Sequence, residues 1–165
     1  MTEPILHIVL YQPEIPFNAG NVGRTCVAIG AKLWLVRPLG FLVDDRHVRR
    51  AGLDYWEHLN WEAVDDWPSL LARLPGRTCW LLTKTARRLY TEAQIRPGDV
   101  LVFGSESKGL PEALRREHSQ RCLRIPMHGK VRSLNLSVAA ALVAYEAIRQ
   151  WRVSGDVPES LQGMF

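Results

Sequence analysis

The sequence lacks any apolar run long enough to form a transmembrane helix, and residues 1–10 lack the basic start and apolar centre of a secretory signal. No internal repeat, low-complexity segment or linker divides the chain. Its 165 residues, 47% hydrophobic and 23% charged, have the composition of one globular domain. We therefore expect a single cytoplasmic domain over residues 1–151, a C-terminal tail over residues 152–165, and no membrane association.

Cysteine is scarce, and no pattern of metal ligands is present. Cys26, Cys79 and Cys122 stand far apart without a CxxC pair, so the sequence favours buried, reduced thiols over a disulfide framework. The five histidines show no metal-ligand spacing. We predict no metal site.

The charge is mildly basic, with a formal net charge of +4, and it is unevenly distributed. Residues 54–66 carry five carboxylates and no Lys or Arg, whereas residues 115–132 carry six Lys or Arg and one carboxylate. A polarised surface of this kind suits a polyanionic partner on one face.

Short apolar segments alternate with amphipathic ones along the chain. Strands are predicted at residues 5–10, 33–36, 79–82, 100–103 and 122–125, and helices at residues 19–31, 44–50, 67–74, 111–117 and 136–151. This order predicts an α/β fold with a mostly parallel sheet and helices on both faces. Ligands are then expected at the carboxyl ends of the strands.

Three loops that follow strands are richer in Gly, Asn, Ser and charge than a simple connection requires. In the first, residues 18–24, Asn18 is a candidate helix cap and Arg24 offers a forked cation for phosphate or carboxylate. The second, residues 103–111, opens a helix like a nucleotide-binding turn but matches neither the Walker loop nor the dinucleotide fingerprint. The third, residues 125–137, is basic and ends in Ser and Asn. Taken alone, each is also explained as an ordinary helix start.

The helix predicted from residue 136 has no polar face in its first two turns after Ser137. Such a helix is expected to be buried on all sides. In so small a domain this indicates a subunit interface or another unusual enclosure of the helix. Because small, Ala-rich surfaces let helices approach closely, we predict a homodimer.

Together, the three loops resemble the three motifs of the SPOUT RNA ribose methyltransferases, the TrmH/SpoU superfamily. The matching residues are Asn18-x-Gly20-Asn21-x-Gly23-Arg24, Phe103-Gly104-x-Glu106-x-x-Gly109-Leu110-Pro111, and Ile125-Pro126-Met127 with Ser133-Leu134-Asn135-Leu136-Ser137. The motifs occur in the family's order, and the resemblance covers about residues 5–150. Within the superfamily, residues 11–16, 49–55 and 145–147 are similar to the TrmL-type subgroup, which methylates the ribose 2′-hydroxyl of the wobble nucleotide, cytidine 34 or uridine 34, of tRNA.

The resemblance implies a SPOUT fold with a deep trefoil knot near the C terminus, a homodimer, and S-adenosyl-L-methionine as cofactor. The cofactor contacts that it implies are Leu82, Thr83, Gly104, Ile125, Met127, Ser133 and Leu134. The catalytic positions that it implies are Arg24 and Asn135. Because a guanidinium stays protonated at neutral pH, we expect Arg24 to grip an RNA phosphate and orient the hydroxyl, and we leave the general base unassigned.

Some relatives carry an extra RNA-binding domain, which this chain lacks, so we expect its single domain to hold the tRNA. The expected RNA contacts are Asn18, Arg46, Arg49, Arg50, Lys130 and Arg132, with Lys84, Arg87 and Arg88 as further candidates.

Three alternatives remain at this point. The first is 2′-O-methylation at another position of tRNA or rRNA, and the second is a non-catalytic RNA-binding module on the same fold. The third is a different α/β enzyme with a nucleotide or dinucleotide cofactor. The polar residues retained in all three motifs argue against the second alternative, and the missing nucleotide fingerprints argue against the third.

Overall fold

The computed structural model describes residues 3–43 and 55–165 of the chain. The helix predicted at residues 44–50 lies outside the described residues, and so do Arg46, Arg49 and Arg50.

Six strands, all parallel to their neighbours, form one sheet in the described chain. They are β1 (His7–Tyr11), β2 (Lys32–Val36), β3 (Trp61–Val64), β4 (Cys79–Leu82), β5 (Val100–Phe103) and β6 (Cys122–Leu123). Their order across the sheet is β3-β2-β1-β5-β4-β6. After β1 the chain continues to β2 and β3 on one side of the sheet, and after β5 it continues to β6 on the other side. The loops after β1 and β5 therefore diverge at one point of the carboxyl edge. That point is where doubly wound sheets bind ligands.

Within the described residues, four α-helices pack on the sheet. They are α1 (Pro16–Ile29), α2 (Trp67–Arg73), α3 (Glu112–Glu117) and α4 (Leu136–Ser154), with 3₁₀ turns at Trp56–His58, Tyr90–Glu92, Ser119–Arg121 and Glu159–Met164. Side chains of α1 and α4, such as Val22 and Val143, form one core with the strands, while Leu70 of α2 and Leu114 of α3 lie in a second core on the other face. The predicted α/β layering, with helices on both faces, is confirmed.

The strands predicted at 79–82 and 100–103 are confirmed with the same bounds. Strand β3 was not predicted, because its sequence Trp-Glu-Ala-Val carries a charge at the sheet edge. There Glu62 accepts a hydrogen bond from Lys32 Nζ at 3.0 Å and pairs with Arg73. A strand of this kind lacks the continuous apolar pattern of a central parallel strand.

Helix α1 begins three residues earlier than predicted, and Asn18 is not its cap. The N-cap is Ile15, whose side chain makes no capping hydrogen bond, and Pro16 occupies the first turn. Pro is favoured there because the first-turn amides have no intrahelical partner. Asn18 is instead a buried side chain within that turn.

Helix α4 has a buried and an exposed face in the single chain, so its burial is incomplete within the protomer and the predicted subunit interface stays a prediction. Ala140 and Ala144 are fully buried against the sheet. Val138, Leu142 and Tyr145 are 54%, 38% and 48% exposed, and their spacing places them on one stripe of the helix. The single chain therefore leaves an apolar surface on α4 open to solvent.

The segment predicted as a tail, residues 152–165, begins inside α4, which continues to Ser154. Leu161 of the last 3₁₀ turn is 3% exposed and belongs to the same core as α1 and α4. The tail therefore packs on the domain.

The three cysteines are free and buried, as predicted. Burial raises the pKa of the Cys79 thiol to about 11, so the thiol stays protonated at neutral pH. Among residues 3–43 and 55–165, no group of three or more His, Cys, Asp or Glu side chains is placed to hold a metal ion. None of the helices in these ranges is both long and apolar enough to cross a bilayer.

One polar side chain lies deep in the sheet. His7 on β1 is 5% exposed, and its Nδ1 accepts a hydrogen bond from Trp34 Nε1 at 3.1 Å. Its Nε2 has no partner among the described residues. Burial, assisted by the positive charge of Lys32, lowers the pKa of His7 from 6.5 to about 4.

We expect His7 to make the fold sensitive to acid. Its pKa is lower in the folded than in the unfolded chain, so the unfolded state takes up the proton first as pH falls from 6.5 towards 4. At about 1.4 kcal/mol per pKa unit, this loss approaches about 3 kcal/mol at the acid end. Urea unfolding of the wild type and of His7→Gln from pH 7 to 5 isolates the effect, because most carboxylates remain ionised there. The wild type is expected to lose stability more steeply; parallel curves would contradict this account.

Candidate active site

The Glu106 carboxylate joins the loops after β1 and β5. Glu106 accepts hydrogen bonds from the backbone N–H of Glu14 at 2.7 Å, from that of Ile15 at 3.1 Å, and from Asn18 Nδ2 at 3.1 Å. The backbone donors lie at the amino end of α1, where the helix dipole favours a negative charge. Glu106 therefore caps α1 from a loop about ninety residues away in the chain.

Asn18 also forms a hydrogen bond with the third loop. Its Oδ1 accepts a hydrogen bond from Asn135 Nδ2 at 3.0 Å. Asn135 in turn caps α4, because its Oδ1 accepts from the Ser137 N–H at 2.9 Å and from the Ser137 hydroxyl at 2.6 Å. The chain Glu106–Asn18–Asn135 thus joins one residue from each of the three loops and orients both amides.

A second link runs in the opposite direction between the first two loops. The Glu14 carboxylate accepts from the Ser107 N–H at 2.8 Å and from the Ser107 hydroxyl at 2.7 Å. These bonds hold the pKa of Glu14 below its ordinary value. Each loop therefore supplies a carboxylate to the other, which fixes their relative position.

Gly104 is required by the shape of the second loop itself. A Cβ at this position would lie 2.1 Å from the carbonyl carbon of Gly109 and 2.3 Å from the nitrogen of Leu110. The loop closes so tightly that Gly109 N–H donates to Ser105 C=O at 2.9 Å. The resemblance implied that Gly104 contacts the cofactor. In the structure, the backbone of Gly104 lies against the backbone of Gly109 and Leu110 in its own loop.

Arg24 lies on α1 but not at its start. It is exposed and sits in the third turn, about 9 Å along the helix axis from Asn18 at 1.5 Å per residue. The backbone of Arg24 therefore lies more than one helical turn beyond the first-turn amides. The guanidinium lies 5.0 Å from the ring centroid of Tyr55, whose hydroxyl donates to Gly20 C=O at 2.5 Å.

Arg24 also faces the exposed stripe of α4. Together with Asn21 and Thr25 it lines an open groove of about 540 Å³ whose opposite wall is Ser137, Val138, Ala141, Leu142 and Tyr145. We call this the α1–α4 groove. Its α4 side is almost wholly apolar, while its α1 side carries the cation.

The proposed cofactor contacts end strands or lie in the third loop. Leu82, Ile125, Met127 and Leu134 are half-buried apolar side chains near the carboxyl edge, and Ser133 is exposed. Thr83 directly follows β4, and its N–H donates to Leu123 C=O at 2.9 Å. Its side chain lines a different, arginine-containing groove. Lys130 and Arg132 are exposed on the third loop.

The third loop leaves most of its backbone unpaired within the described chain. Between Ile125 and Leu134, the sole backbone–backbone hydrogen bond with a described partner runs from Lys130 N–H to His128 C=O at 2.7 Å. A segment of this kind has donors and acceptors available for the polar edge of a ligand, beside the apolar side chains that would contact a flat ring.

Sequence reasoning gave no role to Glu106, Glu14 or Tyr55. Glu106 was visible as a motif residue, but its partners at the start of α1 could not be read from spacing, because they are distant in sequence. No local signal pointed to the Glu14–Ser107 link or to the Tyr55 ring beside Arg24.

The amino-acid sequence is similar to those of known RNA methyltransferases. Residues 5–145 match the model of the SpoU rRNA methylase family. A tRNA (cytidine(34)-2′-O)-methyltransferase from Methylovorus glucosotrophus is 45% identical over 151 residues, which is 91% of this chain and 98% of that protein.

Two solved structures share the fold. The first, described as "Structural insights into the 2-OH methylation of C/U34 on tRNA", superposes with a TM-score of 0.84 at 49% identity, covering 91% of this chain and 97% of that chain. The second is the SpoU methyltransferase AviRb from Streptomyces viridochromogenes in complex with the cofactor AdoMet, with a TM-score of 0.77 at 26% identity, covering 93% of this chain and 60% of that chain. The chain belongs to the SpoU rRNA methylase family.

Proposed function

We propose that this protein is an S-adenosyl-L-methionine-dependent tRNA 2′-O-methyltransferase that modifies the ribose of the wobble nucleotide, cytidine or uridine 34. The observation that carries the proposal is the Glu106–Asn18–Asn135 connection, which brings one residue of each family motif to the same point of the carboxyl edge. The relative from Methylovorus glucosotrophus, similar over nearly its whole length, supports the choice of substrate.

The chemistry of the third loop fits the cofactor. Unpaired backbone groups between Ile125 and Leu134 are suited to the edge of an adenine, and the half-buried side chains of Leu82, Ile125 and Met127 to its faces. Thr83, Gly104, Ser133 and Leu134 complete the set that we assign to this site. When bound, S-adenosyl-L-methionine supplies an activated methyl group, so the protein mainly has to place the hydroxyl in line with it.

Arg24 is the group that we assign to the RNA. It is exposed and flanked by the ring of Tyr55, which limits the directions that the guanidinium can take. A planar guanidinium binds a phosphate through two parallel hydrogen bonds and so fixes its orientation. Asn135, whose side chain is held by Asn18 and Ser137, contributes a fixed amide at the head of α4.

The remaining RNA contacts are proposed on charge and position. Lys130 and Arg132 are exposed on the third loop, and Asn18 of the first motif contacts Glu106 and Asn135 of the other two. Arg46, Arg49 and Arg50 stay on this list from the sequence alone.

We propose a homodimer that covers the exposed apolar stripe of α4. Val138, Leu142 and Tyr145 form a contiguous surface that a soluble protein rarely leaves in water. Arg24 lies in the same groove, so a second copy seated there would place this cation at the subunit interface.

Three further assignments rest on membership of the family. We propose that the chain after β6 forms the deep trefoil knot and that the protein works in the cytoplasm, where its tRNA substrate is found. We propose that residues 1–151 belong to one methyltransferase domain, into whose core the following segment packs through Leu161. No metal is assigned a role.

The substrate is tested directly with purified protein, methyl-labelled S-adenosyl-L-methionine and tRNA transcripts. Mass mapping is expected to place the methyl group on the 2′-oxygen of nucleotide 34, and calorimetry to detect the cofactor but neither ATP nor NAD. A transcript with 2′-deoxyribose at nucleotide 34 is the matched control and should remain unmodified. Methylation of another nucleotide would support the alternative position, and absence of both methylation and cofactor binding would support the non-catalytic module.

Arg24→Lys separates catalysis from cofactor binding. The variant keeps the positive charge but loses the forked donor and the planar contact with Tyr55. We expect nearly normal calorimetric binding of cofactor and a fall of about 100-fold in single-turnover methyl transfer to saturating tRNA, because alignment matters most in the transition state. Arg96→Lys, at an exposed position before β5, should retain the wild-type rate. A wild-type rate in Arg24→Lys would show that this residue only packs on Tyr55.

Leu142→Glu tests the dimer. Ala140 and Ala144 are unsuitable positions, because both are fully buried inside the protomer. A carboxylate at position 142 would have to be desolvated in the proposed interface, so sedimentation velocity at micromolar concentration should detect monomers. Leu71→Glu, a similarly exposed apolar position on α2 at the other face of the sheet, should remain dimeric. A monomeric wild type would end the proposal.

A further inference from the structure

A second groove, of about 580 Å³, lies at the same carboxyl edge on the opposite face of the sheet. Its lining residues Ala86 and Cys122 belong to the core that α2 and α3 cover. The charged side chains that line it are Arg87, Arg88, Arg115, Arg116 and Glu112. We call this the arginine groove. With four cations and one carboxylate, it carries an excess of three positive charges.

The arginines come from two separate segments and are mostly uncompensated. Arg115 Nη1 donates to the Thr85 hydroxyl at 2.8 Å, and Arg88 Nη2 to Glu92 C=O at 2.8 Å, so both are oriented by neutral acceptors. Arg116 pairs with Glu112 at 2.6 Å. Within residues 3–43 and 55–165, no carboxylate lies within ion-pair distance of Arg87, Arg88 or Arg115. Like charges that share a groove repel one another, and a bound polyanion relieves that repulsion.

The charge of this groove disfavours the cofactor as its occupant. S-adenosyl-L-methionine carries a sulfonium and an ammonium against one carboxylate, so its net charge has the same sign as that of the groove. A phosphodiester backbone has the opposite charge, and its phosphate oxygens match the forked donors of arginine.

The location of the groove connects it with the candidate active site. Thr83 lines this groove, and both Thr83 and the preceding Leu82 are residues that we assign to the cofactor site. We infer that the arginine groove binds the phosphate backbone of the RNA substrate away from the methylated nucleotide. This inference rests on the proposed function for the identity of the RNA.

The test measures tRNA binding without cofactor, as a function of salt. The double variant Arg87→Gln/Arg116→Gln changes two exposed side chains and is expected to weaken binding about tenfold near physiological salt and to reduce the slope of log K against log salt by about two. Arg96→Gln removes one exposed charge beyond the amino end of β5 and should change neither the affinity nor the slope by more than a small fraction.

A second variant acts in the opposite direction. Glu112→Gln removes the one carboxylate of the groove lining and releases Arg116, so tRNA binding should tighten severalfold and depend more steeply on salt. This result cannot come from partial unfolding. Wild-type affinity and slope in both the double variant and Glu112→Gln would overturn the inference.

Two further arms identify the ligand and separate this inference from the proposed function. If calorimetry detects ATP binding that the double variant loses while its tRNA binding is unchanged, the groove is a nucleotide site and the inference is wrong. If the wild type methylates nucleotide 34 but both variants bind tRNA with wild-type affinity, the inference about the groove is wrong and the proposed function is unaffected. If the wild type transfers no methyl group, yet the double variant binds RNA more weakly and Glu112→Gln binds it more tightly, the inference about the groove is supported and the proposed function is wrong.

Discussion

The geometry of this protein depends on the Glu106 carboxylate at the start of α1. The amino end of α1 has no side-chain cap of its own, and the amide of Asn18 is buried beside it. Unpaired buried amides are costly, so Glu106, which accepts hydrogen bonds from the Glu14 and Ile15 N–H groups and from Asn18, satisfies both needs. A helix, a loop and a candidate active-site amide are thereby fixed by one side chain.

The same constraint explains why the second loop contains glycine at two positions. The loop turns back on itself immediately after β5, which brings Gly104 against the backbone of Gly109, and its Glu106 bonds to the start of α1. Gly109 has φ +67°, in the left-handed region that favours glycine. The motif glycines thus shape the loop that holds Glu106, and any contact with a cofactor is made by backbone already fixed in place.

The sequence predicted those parts of the fold that local patterns determine. The strands at 79–82 and 100–103 are continuous apolar runs, and such runs identify central parallel strands. The start of α1 was misplaced because Asn18 has the chemistry of a cap, while the group that caps the helix comes from Glu106, far along the chain. The two faces of α4 were missed because Ala140 and Leu142 are both apolar, so composition cannot tell a core alanine from an exposed leucine. The motif residues were found by resemblance; their mutual contacts required the structure.

The two grooves differ in the polarity and charge of their lining residues. The α1–α4 groove is apolar on one wall, and the arginine groove on the other face of the sheet is strongly basic. Apolar surface favours contact with another protein surface, whereas concentrated positive charge opposes the approach of an identical copy. A dimer formed through α4 would therefore leave both arginine grooves open to solvent, one on each protomer. Such a dimer would carry two basic grooves, and both would be open to the phosphate backbone of an RNA.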